Sequence, residues 1–345
     1  MGIALQTMTN ELTHVFLLSV GAFLLAMFLT PIYTFFAYRY RFWKRQRSES
    51  TDGKKLKVFA KFQAAKLRRN IPTMAGVIGV ISIFVVTIFF NLDRAQTWLP
   101  LAALVGGGIV GLIDDIINLR GLGGGAAGLR SPVKFALITL IGVALGWFFF
   151  AKLGVASFHV PFVGEVNIGW LIVPLFAFAV VATGNAVNIS DGMDGLAGGL
   201  LGISFGAFGV IALLQQHVIL AGFCFTVVGV LLSYLWFNIY PARFFMGDVG
   251  SFAYGACLGV VAMLTDSLLL LPVIGLLFVI EAGSSLTQIV SKKLFKRKIF
   301  LSAPIHHHLE AIGWPETKVT MRFWVIGCVM AFIGVMLALA GGHIA

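Results

Sequence analysis

The chain holds 14 acidic residues in 345, so each acid set against apolar sequence is a candidate for holding a cation or moving a proton. Six stand out: Asp114, Asp115, Asp191, Asp194, Asp248 and Glu281. The first pair lies in GLIDDIIN, where an apolar run ends. Two adjacent carboxylates at a helix C-terminus oppose the helix dipole by tenths to about 1 kcal/mol each. A charge at the bilayer centre costs about 2.5–3.5 kcal/mol on insertion scales. These acids therefore have to face water or a cation.

In NAVNISDGMDGLAGG (185–199), Asn185, Asn188, Asp191 and Asp194 recur every third residue and drift slowly around a helix. The glycines among them admit a second backbone or a ligand. Ser190 or Asp191 capping the next helix is the plainer reading, but a cap does not use two asparagines and two aspartates. FFMGDVGS (244–251) places Asp248 between Gly247 and Gly250. Alone it reads as a turn residue; joined to four other aspartates on one face of a membrane it suits magnesium, which takes one or two carboxylates and substrate phosphates. The sequence has no G-x-x-x-x-G-K-[ST], and GLGGGAAG (121–128) is a weak phosphate signal. In APIHHHLEAIGW (303–314), His306, His307 and His308 point in different directions on a helix or a strand and do not suit one metal ion. Beside Lys292–Lys298 they suit an anionic, phosphate-bearing substrate.

The elements that position these residues are membrane spans. The hydrophobic fraction is 59%, charged residues are 11% and mean hydropathy is +0.96, which excludes a soluble enzyme, a disordered chain and a disulfide-stapled secreted domain. A span needs about 20 apolar residues, and ten segments are predicted: 14–37, 74–91, 97–113, 133–152, 169–187, 196–214, 218–236, 251–266, 268–290 and 321–341. The fold class is all-α and polytopic, about ten transmembrane helices in one unit over 1–345 with the active-site loops cytoplasmic. The net charge is +11, and 23 of the 25 basic residues fall in 38–70, 114–134, 237–250 and 291–322. The positive-inside rule makes those loops cytoplasmic and both termini external. The charge is then explained by topology and anionic lipid rather than nucleic acid. No Lys or Arg precedes Arg39, so the first span is not a cleavable signal. Cys224, Cys257 and Cys328 lie in apolar runs and read as small hydrophobes. The stretch 153–168 alternates weakly and is predicted as a short outer hairpin. Glu11, Asp93, Glu165 and Asp266 read as solvated charges.

At IPTMAG (71–76), DD (114–115), NAVNISDGMDGLAGG, FFMGDVGS and PIHHHLEAIGWPETKVTMRFW (304–324), the chain resembles the phospho-N-acetylmuramoyl-pentapeptide transferase branch of the polyprenyl-phosphate N-acetylhexosamine-1-phosphate transferase superfamily. The resemblance runs from about residue 20 to the C-terminus, and the His-rich segment carries the branch. It implies ten spans in a bacterial cytoplasmic membrane, often as a homodimer, and a cytoplasmic, Mg2+-dependent site. The implied reaction moves phospho-MurNAc-pentapeptide from UDP-MurNAc-pentapeptide to undecaprenyl phosphate, giving lipid I and UMP. By motif, Asp248 is implied to bind magnesium, and Asp114 with Asp115 to serve the polyprenyl phosphate. Asn185, Asn188, Asp191 and Asp194 are implied to line the nucleotide pocket, Phe245 to meet the uracil, and His306, His307, His308 and Gln288 to reach the substrate. Arg68 and Thr73 join the substrate-binding set, although Arg68 stands where the family usually has Lys. Asn118 replaces the Lys of the family's DD-x-x-K. A GlcNAc-1-phosphate transferase shares the aspartate motifs, and a proton-coupled transporter is the reading from another class; it expects acids near the midplane.

Overall fold

The computed structural model describes residues 2–43, 70–121 and 128–343. It is built from helices: α1 (Gly2–Arg39), α2 (Gly76–Phe90), α3 (Trp98–Arg120), α4 (Ser131–Leu153), α5 (Ile172–Ser190), α6 (Leu196–Leu214), α7 (Val218–Asn238), α8 (Gly247–Leu264), α9 (Leu271–Ile274), α10 (Leu276–Phe295), α11 (Ile305–Ala311) and α12 (Glu316–Ala340). Among the described residues, eight helices are long and apolar enough to cross a membrane. The apolar pair α9 and α10, bent by 81° at Gly275, makes a ninth span when counted as one. The segment predicted over 74–91 forms α2, which has 15 residues and falls short of a full crossing.

Two boundaries move in ways that matter for the acids. The third span was predicted to end at residue 113, yet α3 runs on to Arg120 and stops at Gly121 in the left-handed region, φ 68°. Ile116, Ile117 and Leu119 are helix-compatible, so the two aspartates end the apolar stretch without ending the helix. Asp114 and Asp115 thus lie inside a helix, clear of its C-terminal dipole. Likewise α8 begins at Gly247 rather than 251, which places Asp248 in its first turn, where the dipole favours an anion.

Helix α8 is the axis of the bundle, with 94% of its apolar window buried. Its neighbours reach it through glycine. A Cβ at Gly111 of α3 would lie 2.1 Å from the Asp248 carbonyl oxygen, and one at Gly107 would lie 2.6 Å from that of Phe252. On the α5 side, a Cβ at Gly255 would lie 2.7 Å from Gly184 Cα. Small residues one turn apart let helix backbones touch in lipid, and this contact draws α3 and α5 onto α8. By contrast α1, α4 and α12 are each 28% buried over their apolar windows, and expose Phe28, Trp147 and Phe332 as lipid-facing helices do.

The outer hairpin is present as β1 (Ser157–Val160) and β2 (Gly164–Asn167), antiparallel with Phe158 opposite Val166. It packs at the Leu264 end of α8, away from Asp248. Asp266 departs from its reading as a solvated charge. It is partly buried and accepts the backbone N–H of His159 at 2.9 Å. Burial, with Glu165 alongside, pushes its carboxyl up to about 7.

Candidate active site

At the Gly247 end of α8, one oxygen each of Asp114, Asp115 and Asp248 lies within 4.8 Å of the others, and all three residues are buried. Their placement follows from the α3–α8 contact. Asp115 Oδ2 accepts the N–H of Val249 at 3.1 Å, a first-turn donor with no partner inside its own helix. Asp114 Oδ1 accepts the N–H of Leu129 at 2.7 Å, which ties the start of the next segment to the cluster. Lys134 of α4 donates to Asp248 Oδ2 at 2.7 Å and lies 2.9 Å from Asp114 Oδ2. Its ammonium also lies 5.2 Å from the centre of the Phe252 ring, a cation–π contact.

Three carboxylates this close in a low-dielectric setting repel one another, and one lysine balances one of them. The donors are all oxygen, which is the chemistry of hard divalent cations. The residues present therefore fit a cation such as magnesium. Lys134 entered the sequence reading only as a count of positive charge. Its signal was a lone lysine in the first turn of an apolar helix, and a distant aspartate cannot be paired with it by spacing.

Of the other sequence-derived residues, Thr73, Phe245 and Asn188 are held next to the first turns of α8, and Asn185, Asp191, Asp194 and Gln288 have contacts of their own. Thr73 is buried, and its Oγ1 would lie 2.8 Å from a Cβ at Gly247. Tyr33 of α1 donates a hydroxyl hydrogen bond to the Thr73 carbonyl. Phe245 N–H donates to the Pro72 carbonyl at 2.9 Å and Ala75 N–H to the Phe245 carbonyl at 3.0 Å, so Thr73 and Phe245 come together through backbone bonds. Asn188 donates to Ser251 Oγ at 2.8 Å, one turn past Asp248, while the Asn185 amide bonds back to the Val181 carbonyl. Asp191 caps the end of α5 and is partly exposed.

Asp194 is 1% exposed, and its Oδ2 accepts the N–H of Ala242 at 3.0 Å. Asn238 joins the same two loops, accepting from Gly195 N–H and donating to the Phe244 carbonyl. Gln288 is buried with its amide turned to the segment after α10: Oε1 accepts from Ile299 and Phe300, and Nε2 donates to the Phe300 carbonyl. Arg68 lies outside the described residues.

The three histidines occupy α11 and take three partners, as their spacing requires. His306 is fully buried and its Nδ1 lies 2.7 Å from Oε2 of Glu281, also fully buried. The Nε2 face of its ring turns toward Gly192, where a Cβ would lie 2.4 Å away. His307 Nδ1 lies 2.7 Å from Glu310 Oε2, and burial holds its pKa below the ordinary histidine value. His308 Nδ1 accepts the N–H of Leu301 at 3.2 Å, and its ring stands edge-on to Phe300. Glu281 was visible as an acid in an apolar run, but its partner, 25 residues on, was not.

A helical membrane bundle with a buried carboxylate cluster at one end of its central helix defines a polytopic membrane protein with an all-oxygen site suited to a divalent cation. Residues 97–266 match the family model described as glycosyl transferase family 4. Over 99% of its length the chain is 38% identical to the phospho-N-acetylmuramoyl-pentapeptide-transferase of Chloroflexus aggregans, covering 94% of that protein. Proteins of the same name from Geobacillus thermodenitrificans and Bacillus anthracis are 35% and 34% identical over 91% of this chain and 94% of theirs. The chain belongs to the phospho-N-acetylmuramoyl-pentapeptide-transferase family.

Proposed function

We propose that the chain transfers phospho-N-acetylmuramoyl-pentapeptide from UDP-MurNAc-pentapeptide to undecaprenyl phosphate, forming lipid I and releasing UMP. The observation that carries this reading is the buried Asp114–Asp115–Asp248 cluster in a chain alike to those relatives over nearly its full length. An oxygen of the polyprenyl phosphate attacks the phosphorus that bears the sugar, and the bond from that phosphorus to the bridging oxygen of UMP breaks. Such a transfer depends on positioning and charge neutralisation more than on covalent chemistry by the protein.

Asp248, with Asp114 and Asp115 beside it, would hold Mg2+, which when bound supplies positive charge against the diphosphate. Asp114 or Asp115 orients the polyprenyl phosphate and accepts its proton. Lys134, released from Asp248 and Asp114, is placed to meet phosphate oxygens. Asn185, Asn188, Asp191 and Asp194 line the nucleotide side, with Phe245 against the uracil, and Thr73 and Arg68 belong to the substrate-binding set. Gln288, His306, His307 and His308 serve the sugar-phosphate side, where Gln288 and His306 shape the loops that carry the contacts. The cluster end faces the cytoplasm of a bacterial inner membrane and both termini face outward, consistent with the distribution of basic residues.

The test is UMP release in detergent from UDP-MurNAc-pentapeptide and undecaprenyl phosphate, with and without magnesium. The reading predicts magnesium-dependent release. Turnover of UDP-GlcNAc in place of this donor would move the chain to the sister transferases. A phosphosugar–enzyme adduct trapped without lipid acceptor would overturn direct attack.

A further inference from the structure

The opposite end of α8 carries a second cluster of ligand-forming side chains, drawn from the β1–β2 hairpin and from the segment just beyond α8. One ligand atom each from His159 on β1, Glu165 on β2 and Asp266 beyond α8 lies within 4.8 Å of the others. His159 is 9% exposed. Its Nε2 is committed to the Gly341 carbonyl oxygen at 2.8 Å. A ring nitrogen bound to a carbonyl is the protonated one, so the lone pair is left on Nδ1. Nδ1 lies 3.7 Å from Glu165 Oε1, longer than a hydrogen bond, while the Glu165 carboxylate also bonds to Ser157 and Asp266.

A metal fits that gap. Bonds of about 2.0–2.1 Å to nitrogen and 2.0–2.2 Å to oxygen place the two ligand atoms at most about 4.3 Å apart, and 3.7 Å falls inside that limit. The surroundings are those of a metal ligand set. The far nitrogen of the imidazole is held by a backbone carbonyl, and Asp266 Oδ1 is held by the His159 N–H at 2.9 Å. Glu165 is half exposed, so a small rotation of its carboxylate closes the set around one ion. His343 stands against His159 with ring centres 4.1 Å apart, and both of its ring nitrogens are buried. It offers a second imidazole beside the cluster.

We infer that His159, Glu165 and Asp266 form a binding site for a divalent zinc ion, with His343 adjacent, which clamps the β1–β2 hairpin to the end of α8 and to the C-terminal end of α12. One imidazole with two carboxylates favours zinc over magnesium, whose preference is for oxygen alone. The site lies at the far end of α8 from Asp248 and does not depend on the reading of that cluster. Its function is structural: it adds to the contacts that hold the hairpin, among them Phe162 N–H to the Gly341 carbonyl and Phe158 against the core.

The experiment is equilibrium dialysis of the full-length protein in detergent, stripped with a chelator and titrated with zinc chloride, beside hydrogen exchange of residues 157–167. The α11 histidines also attract zinc, so the readout is the difference between wild type and variants. Glu165→Gln, at a half-exposed position where folding is not at stake, is expected to weaken one zinc equivalent by at least about tenfold. Asp266→Asn and His159→Gln are expected to abolish that equivalent, and zinc is expected to slow exchange in the hairpin of the wild type alone. Equal zinc stoichiometry and affinity in wild type and Glu165→Gln, or hairpin exchange indifferent to zinc, would overturn the site.

Discussion

At the Gly247 end of helix α8 stand Asp114, Asp115 and the helix's own Asp248; at its Leu264 end stand His159, Glu165 and Asp266. Both groups bring together residues far apart in the chain, but by different means. The first is built by helix packing: Gly107 and Gly111 let α3 lie against the α8 backbone, and Asp115 accepts a first-turn N–H of α8. The second is built by a hairpin laid over a helix end, with Glu165 half exposed. The donors differ as well, oxygen alone in one and a nitrogen in the other. Rigid packing suits a site where reacting phosphates must be placed closely. A half-exposed clamp suits holding a surface element down.

The sharpest way to break this contrast is at the aspartates. Asp115→Asn keeps the shape and removes a charge, and UMP release is expected to fall by about 10²–10³, the scale for losing a group that stabilises developing charge. Glu165→Gln, at the other end, should leave that rate unchanged. A comparable loss in both variants would erase the distinction between the two ends. Next comes packing. Gly111→Val puts side-chain atoms where a Cβ alone would lie 2.1 Å from the Asp248 carbonyl oxygen, so the α3–α8 backbones must part. Activity should drop by about 10²-fold, as for a 1 Å misplacement, with helical circular dichroism retained.

Lys134→Met tests compensation within the cluster. Breaking a buried ion pair costs about 3–5 kcal/mol, and with the lysine side chain 19% exposed the expectation is about 2 kcal/mol. Thermal unfolding in chelator should show the loss, and added magnesium should restore it. The smallest effect concerns pH. Burial holds the His307 pKa below its ordinary value, so the unfolded chain binds this proton more readily than the fold does. Its contribution is fully present above about pH 6.5, the unfolded value, and is lost as pH falls through the lower folded value. The melting temperature should therefore decline below pH 6.5, and less steeply in His307→Gln.

Much of this was legible in the sequence. Eight of the ten predicted spans fall on helices long enough to cross, while 74–91 forms the shorter α2 and 268–290 the bent pair α9–α10, because hydropathy reports burial in lipid or protein whichever it is. The hairpin over 153–168 showed in its alternation, and the aspartates stood out because acids are scarce. What escaped needed three dimensions. Hydropathy stops at Asp114 although helix geometry does not, so the end of α3 was misplaced. Lys134 and Glu281 have partners far off in sequence, and their pairing depends on how helices cross. Asp266 looked solvated because a single acid between two apolar runs carries no sign of the hairpin that folds over it.

The account rests most heavily on a divalent cation among Asp114, Asp115 and Asp248. Electron paramagnetic resonance of Mn2+ added to the detergent-solubilised protein, with magnesium as competitor, tests that directly. The account predicts one bound Mn2+ that magnesium displaces and that Asp248→Asn and Asp115→Asn both weaken, while Glu165→Gln leaves it unchanged. Mn2+ binding of equal affinity in wild type and both aspartate variants would contradict it.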